Sequence, residues 1–142
     1  MKIAVVDGQG GGIGSFLIEK LRTHCGHSIN LIGLGTNAMA AASMLKAGAN
    51  ESASGENAIV WNADKVDFII GSVAIIAANS FAGELTPKMS EAIASSPALK
   101  LLIPLNKANI IMCGMESGSL PLQVDLLVKK LKELTPPIRK DA

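Results

Sequence analysis

The sequence predicts one three-layer α/β domain over residues 1–142, its mostly parallel sheet ordered 2-1-3-4-5 with an antiparallel fifth strand at the edge. Three observations predict it. Short apolar runs alternate with segments of helical spacing, the pattern of strand-helix-strand units. Glycine-rich turns follow the first two runs directly. At 142 residues the chain has the usual size of one domain, and 49% apolar with only 3% aromatic residues implies a core of Ala, Ile, Leu, Val and Met.

The apolar run Ile3 to Val6 ends at Asp7, and Asp7-Gly8-Gln9-Gly10-Gly11-Gly12-Ile13-Gly14 opens into helical spacing from Phe16 to Arg22. This is strand, glycine turn, helix, with the helix ending near Gly26. Ile29 to Ile32 is a second strand closed by Gly33. Gly33-Leu34-Gly35-Thr36-Asn37-Ala38 then repeats the glycine turn, Thr36 or Asn37 capping a helix that runs through Ala47 to a stop at Gly48. That helix has one charge and apolar residues most of the way round, which predicts cover on both sides.

Gly48 to Asn57 reads as a polar loop. Ala58 to Asp64 reads as a short helix, although Ile59-Val60-Trp61 has equal strand propensity. Val66 to Ile70 is a third strand ending at Gly71-Ser72. Thr86 as N-cap with Pro87 at the first helical position starts the next helix, which stops before Pro97. Leu99 to Leu105 is a fourth strand and Asn109 to Gly114 a fifth; only Asn106, Lys107 and Ala108 lie between, too few for a crossover, which predicts an antiparallel hairpin. Ser119-Leu120-Pro121 opens a final helix with apolar positions 120, 124, 127, 128, 131 and 134 on one face, ended by Pro136-Pro137, and Arg139 to Ala142 should fray. Strands and helices in this order form a Rossmann-like or flavodoxin-like sheet with helices on both faces.

Composition excludes several classes. Thirteen basic against twelve acidic residues leave a charge of +1, so neither nucleic acid nor a membrane is expected as partner. Cys25 and Cys113 stand without a CxxC pair, which favours a reducing, cytoplasmic setting. The apolar run at the start is broken by Asp7, too early for a signal-peptide core, and the uncharged stretch Phe68 to Gly83 is too short and polar to span a bilayer. His24-Cys25-x-His27 lacks a fourth ligand, so no metal site is expected; Cys113, Met112 and Met115 are expected as core filler, and Lys107 as a solvated hairpin tip.

In an open sheet of this order the ligand crevice lies at the carboxyl ends of the strands, where the chain switches sides between strands 1 and 3. One lip is the backbone of Asp7, Gly8, Gln9, Gly10, Gly11, Gly12, Ile13 and Gly14, where glycine permits close approach and the first helical turn offers N–H donors to a phosphate. The other lip, residues 71–86, offers Ser72, Asn79, Ser80, Glu84 and Thr86, while Gly35, Thr36 and Asn37 stand near enough for a ribose or second phosphate. Simpler roles compete: Asp7 ordering its own turn rather than acting as base or metal ligand, and Asn79 and Glu84 ordering the loop before Thr86.

The spacing Gly8-x3-Gly12-Ile13-Gly14 resembles the T-G-x3-G-I-G turn of short-chain dehydrogenases, with Asp7 where that family has Thr. Those enzymes use a Tyr-x3-Lys pair, and a chain without tyrosine has none. The acidic residue that holds an adenosine ribose after strand 2 is also missing, leaving that role to Thr36 and Asn37. Val6 to Gly14, Leu34-Gly35-Thr36-Asn37-Ala38, Gly55-Glu56-Asn57-Ala58 and Ala78-Asn79-Ser80 together resemble a bacterial family of small Rossmann-like proteins catalogued as a domain of unknown function. The resemblance implies a single α/β domain in the bacterial cytoplasm and no particular activity. The expected function is binding of a nucleotide or other phosphorylated ligand, NAD or NADP foremost, at the Gly8 to Gly14 turn. The alternative is a non-catalytic interaction or sensing module, homodimeric through helix 38–47.

Overall fold

The computed structural model of the chain describes residues 1–105, 108–115 and 118–136. Strand β1 (Lys2–Asp7) is the centre of the sheet, and its alternating side chains feed two separate cores: Ile3 and Val5 on one face, Ala4 and Val6 on the other. Around it stand β2 (Asn30–Gly35), β3 (Glu51–Ser54), β4 (Phe68–Ser72) and β5 (Leu99–Ile103), in the order β3-β2-β1-β4-β5. All four pairings are parallel.

Helices cover both faces, as a parallel sheet buried on both sides requires. On the Ile3 and Val5 face lie α1 (Gly12–Cys25), α2 (Ala38–Ala47) and α5 (Leu120–Leu134), whose Leu17, Leu21, Met44, Val124 and Leu131 join that core. On the opposite face α3 (Glu56–Asn62) and α4 (Pro87–Ser95) contribute Ile59, Met89 and Ile93. Local chemistry starts the helices where expected. Asn37 accepts from Ala40 N–H at 2.8 Å, Thr86 from Met89 N–H at 3.2 Å with Pro87 following, and Ser119 from Leu122 N–H at 3.4 Å. The 59–61 segment is helical: Ile59 faces the core, and exposed Trp61 carries the Lys65 ammonium 3.9 Å from its ring centroid.

The strand order departs from expectation at both edges. The fifth strand is not Asn109 to Gly114, and no strand of the sheet is antiparallel. That run turns through left-handed Ala108 and Asn109, and Ile111 is 75% exposed, so the stretch neither starts as extended backbone nor buries its apolar side chains. The tip expected at Asn106 and Lys107, and the tail from Arg139, lie outside the described residues. The additional strand is β3, within the segment read as a polar loop. Its Glu-Ser-Ala-Ser sequence has no strand pattern, because the strand is held through its main chain in register with Ile32 to Gly35 and by Lys2 to Glu51 at 3.0 Å.

Three further expectations are corrected. β2 runs on through Gly33 to Gly35, so both glycines lie in the strand, paired with Val5 and Asp7, and the turn begins only at Thr36. Among the described residues nothing covers one face of α2, where Met39 is 69% and Leu45 47% exposed. Cys113, Met112 and Met115 are exposed rather than core filler, whereas Cys25 is fully buried.

Candidate functional site

The strand order reverses between β1 and β4, so their carboxyl ends open on the crevice of the sheet. Asp7 closes β1 there and is almost fully buried. Its Oδ1 accepts from Gly8 N–H at 2.8 Å and its Oδ2 from Gly14 N–H at 2.7 Å, so the carboxylate spans the turn and ties the strand end to the first turn of α1. Of its two expected roles, the geometry displays the ordering of the turn. Gly11, the residue before α1, is left-handed at φ 74°, which glycine adopts without the Cβ penalty.

The glycines of the turn divide by surroundings. A Cβ on Gly8 would stand 2.7 Å from the Phe81 ring, and one on Gly14 would stand 2.6 Å from Met44 Sδ, so these two permit close packing. A Cβ on Gly10 or Gly12 would meet nothing within 4 Å, and both residues are exposed. The start of α1 therefore has an uncovered side at Gly10 and Gly12.

Beside it, three polar groups converge on one carboxylate. Glu84 Oε1 accepts from Gln9 N–H at 3.0 Å, from Thr36 Oγ1 at 2.9 Å and from Asn37 Nδ2 at 3.1 Å, while Glu84 Oε2 accepts from the same Asn37 nitrogen at 2.9 Å. The Gln9 N–H, then the Asn37 amide, hold the Glu84 carboxyl below the usual carboxylate range against an opposing desolvation, with Thr36 adding the smallest share. Asn37 Nδ2 also donates to Gln9 O at 2.9 Å, and Ser43 Oγ donates to Gly10 O at 3.1 Å, so the first glycine turn leans on the start of α2.

Glu84 reaches this position on a strap that leaves β4 through a short 3-10 turn, Val73–Ile76. Asn79, Phe81 and Ala82 are left-handed without being glycine, and Gly83 follows at φ 90°. The strap is clasped at its neck by Asn79 N–H to Leu85 O at 2.7 Å and Leu85 N–H to Ser80 O at 3.1 Å. Ser80 Oγ anchors it below, donating to Ala74 O at 2.5 Å.

The structure thus gathers Gln9, Thr36, Asn37 and Glu84, with Asp7 and Gly8 to Gly14 beneath them. Ser72 stays apart, buried, its Oγ accepting from Ala74 N–H at 3.3 Å. Asn79 is exposed and shapes the strap through its main chain, Thr86 caps α4 and accepts no part of the cluster, and Gly35 is enclosed within β2. Phe81 and Ser43 were missed; an aromatic within the uncharged stretch before Thr86 was the one available signal for the first. Both histidines lie at the far end of α1: at about 1.5 Å per residue, His24 is about 18 Å from the helix start. Among the described residues no group of three or more His, Cys, Asp or Glu is placed to hold a metal ion, and no helix is long and apolar enough to cross a membrane.

Fold and site define a parallel α/β domain whose crevice holds a polar nest around one of its own carboxylates. The chain belongs to the family described as Domain of unknown function (DUF3842), whose model matches residues 2–136. No curated protein and no solved structure matches it.

Proposed function

We propose that the protein binds a nucleotide or other phosphorylated ligand, NAD or NADP foremost, at the carboxyl ends of β1 and β4, in a Rossmann-like manner. The observation that carries this reading is the convergence of Gln9 N–H, Thr36 and Asn37 on a single anionic group. Donors from separate segments that already hold one carboxylate suit a phosphate oxygen equally well. The uncovered Gly10 and Gly12 give a ligand room beside them, at the positive end of the 14-residue helix α1. A bacterial cytoplasmic setting belongs to the same proposal and suits the two free cysteines.

A thermal-shift panel of NAD, NADP, ATP, coenzyme A, S-adenosylmethionine and sugar phosphates tests it: a ligand at a hundred times its dissociation constant adds about 2.7 kcal/mol. No shift with any member would reject the reading. One observation favours a second role, a homodimer through α2, since Met39 and Leu45 stand exposed on that helix. Sedimentation of the wild type and of Met39→Lys checks it; a monomeric wild type would remove it.

A further inference from the structure

We infer that Glu84 is an internal competitor for the anion subsite, so that a phosphate entering the nest displaces its carboxylate and lifts the outer part of the strap, residues 81–84, off the crevice. The inference rests on the phosphorylated-ligand reading and adds how that site is regulated. Every donor in the nest points at Glu84: the Gln9 N–H from the first turn, the Thr36 hydroxyl and the Asn37 amide from the second. A phosphate there needs the same donors, and it would meet an ionised carboxylate if Glu84 stayed. Occupancy by the two is therefore exclusive.

The outer part of the strap stands on a fixed neck: Ser80 Oγ donates to Ala74 O and Leu85 is fully buried, whereas Ala82 and Gly83 are exposed. The strap's own hydrogen bonds, Asn79 N–H to Leu85 O, Gly83 N–H to Asn79 O and Glu84 N–H to Phe81 O, close it into a compact loop. Its outer half is tied to the rest of the molecule by the Glu84 contacts and by Phe81 lying over Gly8. Left-handed Asn79, Phe81 and Ala82 are costly positions for side-chain-bearing residues, so the closed form is favoured only while those contacts persist. Removing them exposes Phe81 and the Gly8 backbone beneath it, which turns occupancy of the nest into a change of surface.

Calorimetric titration of NAD, NADP and ATP into wild type, Glu84→Ala and Glu84→Gln, with amide exchange across residues 77–86, tests the displacement. The expected result is affinity on the order of tenfold higher in Glu84→Ala, a smaller gain in Glu84→Gln, and faster exchange in the strap of the wild type when a ligand binds. Equal or weaker binding by Glu84→Ala, or strap exchange that slows on binding, would overturn displacement while leaving the ligand reading intact. A loss selective for NAD would instead make Glu84 a direct ribose contact. Should Glu84→Ala fail to fold, Glu84→Gln decides by the same criterion. Absence of binding in all three proteins would reject the ligand reading and this inference together.

Discussion

The two glycine turns are spelled alike and built differently. In the second, Gly33 and Gly35 lie inside β2, and a Cβ would stand 2.6 Å from Met44 Cβ at one and 2.6 Å from the main-chain Ala41 N and Asn37 O at the other. Their missing side chains let α2 settle directly on the strand. In the first turn, Gly8 and Gly14 serve packing in the same way, but Gly10 and Gly12 face open space. A glycine-rich spelling thus marks close approach of backbone, and only surroundings decide whether the approaching group is the protein's own helix or something from outside.

Paired substitutions sharpen the contrast. Gly35→Val should produce the largest effect, because its clash is with main-chain atoms that no rotamer change relieves. A loss of about 3 kcal/mol or more, or failure to fold, is expected in urea denaturation. Gly12→Val should leave stability within about 0.5 kcal/mol, since nothing lies within 4 Å of the new Cβ, yet it should abolish the ligand-induced gain of about 2.7 kcal/mol in a thermal-shift assay. If Gly35→Val proved as stable as Gly12→Val, the distinction between the turns would be gone; if Gly12→Val kept its ligand response, the site would lie elsewhere.

Asp7→Asn probes the same turn from beneath. The amide keeps one carbonyl acceptor for two N–H groups, so either Gly8 or Gly14 is left facing an NH2 group. A destabilisation of about 1–2 kcal/mol is expected by chemical denaturation. A neutral result would mean that the turn holds its shape without the carboxylate bridge.

Much of this was legible in the sequence, for reasons that also explain the rest. Asn37, Thr86-Pro87 and Ser119-Leu120-Pro121 announce helices through local chemistry, and the apolar runs of β1 and β4 announce strands buried on both faces. Strand β3 was invisible because its pairing is a main-chain matter, Asn50 N–H to Leu31 O and Gly55 N–H to Gly35 O extending the ladder around side chains with no pattern. The run Asn109 to Gly114 misled for the converse reason: strand-forming side chains make no strand where the backbone turns left-handed, as it does at Ala108 and Asn109. Gln9, Thr36, Asn37 and Glu84 could each be named as polar groups near a crevice. That they bind one another depends on the strap bending through three left-handed residues, which local propensity disfavours at Phe81 and Ala82.

The smallest expected effect tests how firmly the second turn and the strap are joined. The folded-state pKa of Glu84 is lowered, so ionisation contributes stability that is fully present above the ordinary carboxylate value and is lost as pH falls through the lowered folded value. Its Gln9, Asn37 and Thr36 partners are donors at any acidic pH, so the titrating member of the cluster is Glu84 itself. Solvent screens this partly exposed carboxylate, and the contribution should stay within about 1 kcal/mol. Melting curves of wild type and Glu84→Gln should therefore converge as pH drops from 7 toward 3, with the wild type slightly the more stable at neutral pH. A constant gap across that range would mean that the stability difference does not come from ionisation of Glu84, and the strap would be held by the Phe81 packing and its own clasp.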